Sequence, residues 1–176
     1  MQNIYTKNSI LIFLPANNFS EEEYLTTKQV FLKYGKQIFI TSDTNTVCSG
    51  DRGMKVGADT DFYNVNDKNF AAIVLIGGKG SKDYWGNESL HRIVKKFQGS
   101  GKTVAAICSA PVILARAGLL SNITATCWKE DKNELIKTGI NYQERSVVAE
   151  KNIITAEGPL SAVQFAETVL NMIKPT

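Results

Sequence analysis

The chain has 176 residues, 43% of them hydrophobic and 21% charged, which fits one soluble globular domain with a single core and excludes a disordered or fibrous protein. The formal charge of +3 is spread along the chain, and a pair such as Lys95-Lys96 reads as a solvated helix face, so nucleic acid is not the expected partner. Three widely spaced cysteines, Cys48, Cys108 and Cys127, give neither a disulfide framework nor the paired C-x-x-C spacing of a zinc site, and no apolar run nears the roughly 20 residues of a membrane span.

Residues 9–14 (SILIFL) are almost all apolar, as in a strand covered on both faces. A helix is expected over residues 21–34, with Ser20 as its cap and Gly35 just past its end. Residues 37–41 (QIFIT) make a second strand. From 43 to 66 the chain is polar and turn-rich, with short extended pieces at 46–48 and 54–56, which suggests a hairpin-like excursion on the sheet edge. Residues 70–76 (FAAIVLI) form a buried strand that ends in Gly77-Gly78-Lys79-Gly80. Asn87 caps a helix to about Phe97, and residues 103–107 (TVAAI) form the next strand, with its helix over 109–117 closed by Gly118. Short strands are expected at 124–127, 146–149 and 152–155, and a helix near 131–137. A last helix opens at Pro159 and runs to about Ile173. Alternating strands and helices of this kind imply a three-layer α/β/α sandwich around a mainly parallel, doubly wound sheet, one domain over residues 1–176.

Sheets of this class bind ligands beyond the carboxyl ends of their strands. Three such ends carry chemistry: residues 15–23, residues 77–80, and Cys108. Around the cysteine the chain reads Ala105-Ala106-Ile107-Cys108-Ser109-Ala110-Pro111. A nucleophile elbow needs small residues two positions either side of the nucleophile, and Ala106 and Ala110 meet that need. A thiol at the start of a helix is expected to have a lowered pKa. The competing reading is a small buried hydrophobe at a strand end. Glu23 also has two readings. Ser20-x-x-Glu23 is a capping box, or Glu23 reaches across the strand ends to Cys108 as a proton-transfer partner. Gly77 and Gly78 either offer backbone N–H groups to an oxyanion or make a plain turn.

Taken together, these segments resemble the ThiJ/PfpI superfamily, which includes the parkinsonism-linked deglycase and the PfpI-type intracellular proteases. The resemblance spans nearly the whole chain. It is most specific at 105–111 and at Leu114-Ala115-x-Ala117-Gly118-Leu119-Leu120. Leu75-Ile76-Gly77-Gly78, Glu23 in the first helix, and Ile154-Thr155-Ala156-Glu157-Gly158-Pro159 support it. It implies a flavodoxin-like, class I glutamine amidotransferase-like fold and a homodimer or larger homo-oligomer. It also implies that Cys108 is the nucleophile or redox centre, that Glu23 hydrogen-bonds its sulfur, and that amides of Gly77, Gly78 and Ser109 line an oxyanion site.

The departures bear on function. PfpI-type proteases place a histidine directly after the cysteine, where this chain has Ser109. The deglycase branch carries a histidine at a later strand end, where Trp128 falls, followed by Lys129 in place of proline. Glu157 stands where an arginine often precedes Gly158-Pro159. Trp128 and Glu157 are candidate pocket residues, and the only histidine, His91, reads as a surface helix residue. Without a Cys-His dyad a peptidase lacks its general acid. Three functions remain: a cofactor-free enzyme of glyoxalase or deglycase type acting on small reactive carbonyls, a cysteine-dependent amidase or hydratase, and a non-enzymatic redox sensor or stress chaperone. The expected setting is cytoplasmic, with a small-molecule substrate and no cofactor, metal, nucleic acid or membrane partner.

Overall fold

Strands made of apolar residues on both sides need cover on both sides, and the fold supplies it with two helical layers. A computed structural model describes residues 8–43 and 47–173. In chain order the elements are β1 (Ser9–Phe13), β2 (Asn17–Phe19), α1 (Glu21–Lys33), β3 (Gln37–Ser42), β4 (Val47–Gly50), β5 (Lys55–Gly57), β6 (Thr60–Asp61), β7 (Ala72–Leu75), α2 (Glu88–Gly99), β8 (Thr103–Ile107), α3 (Pro111–Arg116), β9 (Thr124–Ala125), α4 (Lys132–Ile136), β10 (Asn141–Tyr142), β11 (Val147–Glu150), β12 (Ile153–Ala156) and α5 (Ala162–Met172).

Seven strands form the central sheet in the order β11-β12-β8-β7-β1-β3-β6. The six from β12 to β6 run parallel, and β11 pairs antiparallel with β12. Every residue of β1, β7, β8 and β12 is buried. The period of two divides their side chains between the layers. Leu11, Phe13, Ile73, Leu75, Val104 and Ala106 pack with Leu90, Val94, Phe97 and Ile113 of α2 and α3. Ile10, Ile12, Val74, Ala105 and Ile154 pack with Phe31, Phe165 and Val169 of α1 and α5. This is the three-layer α/β/α sandwich. Phe97 is fully buried against Phe70, with ring centroids 6.3 Å apart. Phe97→Ala should therefore lower unfolding free energy by about 3–5 kcal/mol, read from urea denaturation midpoints. No helix among the described residues is long and apolar enough to cross a membrane.

Residues 43–66 differ from the expected edge hairpin. β4 and β5 do pair antiparallel, but they join β2 in a separate three-stranded sheet, and β6 alone takes the edge beside β3. Of the extended piece expected at 46–48, Thr46 lies outside the described residues. The helix expected over 109–117 begins only at Pro111, because Cys108 to Ala110 form a turn in which Ala110 N–H donates to Ile107 O at 3.1 Å. The last helix likewise opens with a 3-10 turn, Pro159–Ser161, before α5.

The direction of travel through the sheet reverses between β1 and β7. From β1 the chain passes through α1 to β3 on one side, and from β7 through α2 to β8 on the other. Crevices for ligands open at such a switch point, outside the carboxyl ends of the strands. Glu23, Gly77 and Cys108 follow β1, β7 and β8 on that rim.

Candidate active site

Cys108 stands one residue past β8 with φ of +63°, a left-handed conformation that a residue with a Cβ adopts at a penalty of about 1–3 kcal/mol. Three hydrogen bonds fix it. Its N–H donates to Ala156 O at 2.9 Å, its carbonyl accepts from Trp128 N–H at 2.8 Å, and the next turn closes from Ala110 to Ile107. Ala106 and Ala110 are wholly buried, so the sharp turn depends on small neighbours, as the sequence pattern requires. The residue is buried but not sealed, with 9% of its surface exposed.

Ser20 caps α1, its Oγ accepting from Glu23 N–H at 3.4 Å. The return half of the capping box does not form, because Ser20 N–H donates to Gly77 O at 3.0 Å. The Glu23 carboxyl turns inward. Its Oε2 accepts from Gly77 N–H at 3.0 Å, and its Oε1 finds no other hydrogen-bond partner among the described residues. The Cys108 thiol lies beside this carboxyl. Gly77 is required by close approach, since a Cβ there would lie 2.7 Å from Cys108 Cβ and 3.0 Å from Glu23 Oε2.

The electrostatics depart from the expected lowered thiol pKa. Burial, then the charge and hydrogen bond of Glu23, hold the Cys108 thiol well above its ordinary range, against the opposing pull of Gly78 N–H and the Ser109 hydroxyl. The helix that was to lower it starts three residues later. Burial likewise pushes Glu23, which has no exposed surface, up to about 7. A thiol and a carboxyl thus share a poorly solvated space in which a proton on one favours ionisation of the other.

The remaining predicted residues fall on the same rim with altered parts. Gly77 N–H is committed to Glu23 and so does not line an oxyanion site. Gly78 N–H instead acts to lower the Cys108 thiol pKa. Trp128 is joined to Cys108 through its backbone, and its ring lies against Gly158, where a Cβ would meet it at 3.1 Å. The Glu157 carboxylate accepts from Ser146 Oγ at 3.2 Å and Ser161 Oγ at 3.3 Å, which ties it to the rim beside β12. His91 lies in α2, with Nε2 3.0 Å from Trp85 O. Cys48 and Cys127 are buried free thiols. Among the described residues no group of three or more His, Cys, Asp or Glu is placed to hold a metal ion.

Sequence reasoning missed one cluster. Ser109 Oγ donates to Asp131 Oδ2 at 2.5 Å, and Lys82 Nζ lies 2.6 Å from Asp131 Oδ1. Trp85 Nε1 donates to Ser109 O at 2.9 Å. Nothing in the spacing of Lys82, Ser109 and Asp131 announces that they meet.

The DJ-1/PfpI family model matches residues 8–172. The chain is 39% identical over 168 residues to the uncharacterized protein MJ0967 of Methanocaldococcus jannaschii, covering 94% of this chain and 82% of that one. It is 29% identical to Deglycase PH1704 of Pyrococcus horikoshii, over 93% of this chain and 99% of the relative. It is 26% identical to the glutathione-independent glyoxalase DJR-1.2 of Caenorhabditis elegans, over 96% and 90%. Among solved structures, a ThiJ/PfpI domain protein from Brachyspira murdochii superposes with a TM-score of 0.93 at 32% identity, over 96% of this chain and 97% of that one. Sequence and backbone agree from β1 to α5, and the chain belongs to the DJ-1/PfpI family.

Proposed function

We propose that the protein is a cofactor-free, cysteine-dependent enzyme that detoxifies small reactive carbonyls, of the glyoxalase or deglycase type. The observation that carries this is the Glu23–Cys108 pair, a buried carboxyl held near pKa 7 beside a thiol at a strand-end turn. The names of the Pyrococcus and Caenorhabditis relatives support the same class.

With a 2-oxoaldehyde the chemistry balances within the pair. Glu23 takes the thiol proton as the sulfur bonds to the aldehyde carbon, the C=O π bond breaks, and the carboxyl returns the proton to the oxygen to give a hemithioacetal. The carboxylate then removes the proton from that carbon and delivers it to the neighbouring carbonyl carbon as the hydroxyl proton moves between the oxygens, leaving a thioester of a 2-hydroxy acid. Water cleaves the C–S bond, releases the acid and restores the thiol. Gly78 N–H and the backbone N–H of Ser109 stabilise the oxyanions formed on the way. One carboxyl carries the thiol proton and then the carbon proton, so no histidine is required for either transfer. The exposed Trp128 ring forms an apolar wall for the substrate.

The test is methylglyoxal supplied without glutathione and followed by proton NMR. Lactate is the expected product. Absence of lactate, together with a 32 Da gain confined to the Cys108 peptide after mild peroxide, would overturn the enzyme in favour of a redox sensor.

A further inference from the structure

Loops follow β7, β8 and β9, and one carboxylate joins all three. Asp131, 3% exposed, belongs to the loop after β9. Its Oδ2 accepts from Ser109 Oγ at 2.5 Å, in the loop after β8, and its Oδ1 lies 2.6 Å from Lys82 Nζ, in the loop after β7. A buried carboxylate needs both oxygens met, and here a hydroxyl and an ammonium meet them with short, charge-assisted bonds. Trp85, which shares a loop with Lys82, donates from Nε1 to Ser109 O at 2.9 Å.

These contacts close a ring through Cys108. Ser109, its chain neighbour, gives its hydroxyl proton to Asp131. Asp131 N–H donates to Trp128 O at 2.9 Å, and Trp128 N–H returns to Cys108 O at 2.8 Å. Each link is a direct hydrogen bond or a peptide bond. The segment so held has few other ties. Residues 129–131 form a single 3-10 turn with no side-chain cap at Trp128, and Lys129 and Glu130 are exposed. The Trp128 ring is 38% exposed and rests against Gly158.

We propose that Asp131 is a positioning residue for the Cys108 site. Its carboxylate staples the Trp128 turn to the cysteine turn and, through Lys82, to the glycine loop, and thereby fixes where the indole stands on the rim. The functional part rests on the reading of Trp128 as a substrate wall of the proposed enzyme. A fixed wall contacts substrate and transition state alike, so its displacement is felt in KM and not in kcat.

Amide hydrogen exchange of the full chain, followed by NMR, reads the staple without turnover. Ser109→Ala removes one hydroxyl and leaves Asp131 with Lys82, so the fold should persist. The amides of Trp128 and Asp131 should then exchange about tenfold faster, while those of β1 and β7 change much less. Asp131→Ala should accelerate the same two amides at least as much. The double variant should match Asp131→Ala, because the hydroxyl acts only through the carboxylate. Unchanged protection at Trp128 in Ser109→Ala, or single effects that multiply in the double variant, would overturn the staple.

The kinetic arm uses methylglyoxal. Ser109→Ala should raise KM about tenfold with little change in kcat, as should Trp128→Ala. Adding Ser109→Ala to Trp128→Ala should raise KM no further, since the staple acts through the indole. A fall in kcat at constant KM, or a further rise in the double variant, would refute the action through Trp128. Absence of turnover in the wild type would remove the enzymatic reading and leave the exchange rates to decide the staple alone.

Discussion

Cys108→Ala is expected to abolish conversion of methylglyoxal, and Glu23→Gln to slow it by about 10²–10⁴-fold, with both variants folded. The two losses have different origins. Alanine leaves no atom to bond the substrate, whereas glutamine keeps the shape and can still accept from Gly77 N–H, but it cannot carry a proton between carbons. The pH dependence separates them from mere disruption. Glu23 must be ionised to take the thiol proton, and burial holds it at about 7. Wild-type kcat/KM should therefore fall as pH drops through about 7, and Glu23→Gln should lack that inflection. A glutamine variant with the wild-type rate and profile would remove the carboxyl from the mechanism.

The same shift has a consequence for stability. The Glu23 pKa is raised from 4.5 to about 7 on folding, so the native state binds this proton more tightly than the unfolded chain. Its stabilising contribution is fully present below about 4.5 and is lost as pH rises through about 7, a change on the order of 3 kcal/mol. Urea midpoints of the wild type should fall between pH 5 and pH 8, relative to those of Glu23→Gln over the same interval. The function therefore opposes the stability: the carboxylate form needed for proton abstraction is the one that burial disfavours.

What the sequence disclosed, and what it concealed, follows from the range of the interactions. The apolar strands at 9–13, 72–75 and 103–107 announce themselves because parallel strands covered on both faces have no polar side to hide them. The turn at Cys108 was legible for a similar reason, since Ala106 and Ala110 are small where a sharp strand-to-helix turn demands it. By contrast β2, β6, β9 and β10 are two or three residues long, and each exists only through a partner far away in the chain. Glu23 was ambiguous because the spacing that makes a capping box also places a carboxyl on the inner face of α1. The decision belongs to Gly77, 54 positions away, which engages both Ser20 N–H and the carboxylate. The thiol pKa was misjudged because local helix geometry is visible in sequence, whereas burial beside an acid is not. Asp131 was visible only as the start of a helix, and its bond to Ser109 spans 22 positions.

Gly78→Ala is expected to be strongly damaging, lowering unfolding free energy by about 3 kcal/mol or more. Two penalties combine there. Gly78 has φ of +102°, where a side chain is strained, and its Cβ would sit 2.5 Å from both Asn18 O and Ser20 N. The obstruction is backbone, so no rotamer relieves it, and the strand-end loop would have to retreat from the start of α1. That retreat would displace Gly78 N–H and loosen the Glu23–Gly77 contact, so activity should fall even in the fraction that stays folded. Two other glycines separate the causes. At Gly35, φ is +71° but a Cβ would meet nothing within 4 Å, so alanine there carries strain alone and should cost about 1 kcal/mol. At Gly86 neither strain nor obstruction applies, and alanine should be neutral or stabilising by up to about 1 kcal/mol. Urea denaturation of the three variants should rank them Gly86, Gly35, Gly78 in increasing loss. A Gly78→Ala protein as stable as Gly35→Ala would mean that the loop yields freely, and a loop that yields freely cannot hold the Gly78 amide in place for an oxyanion.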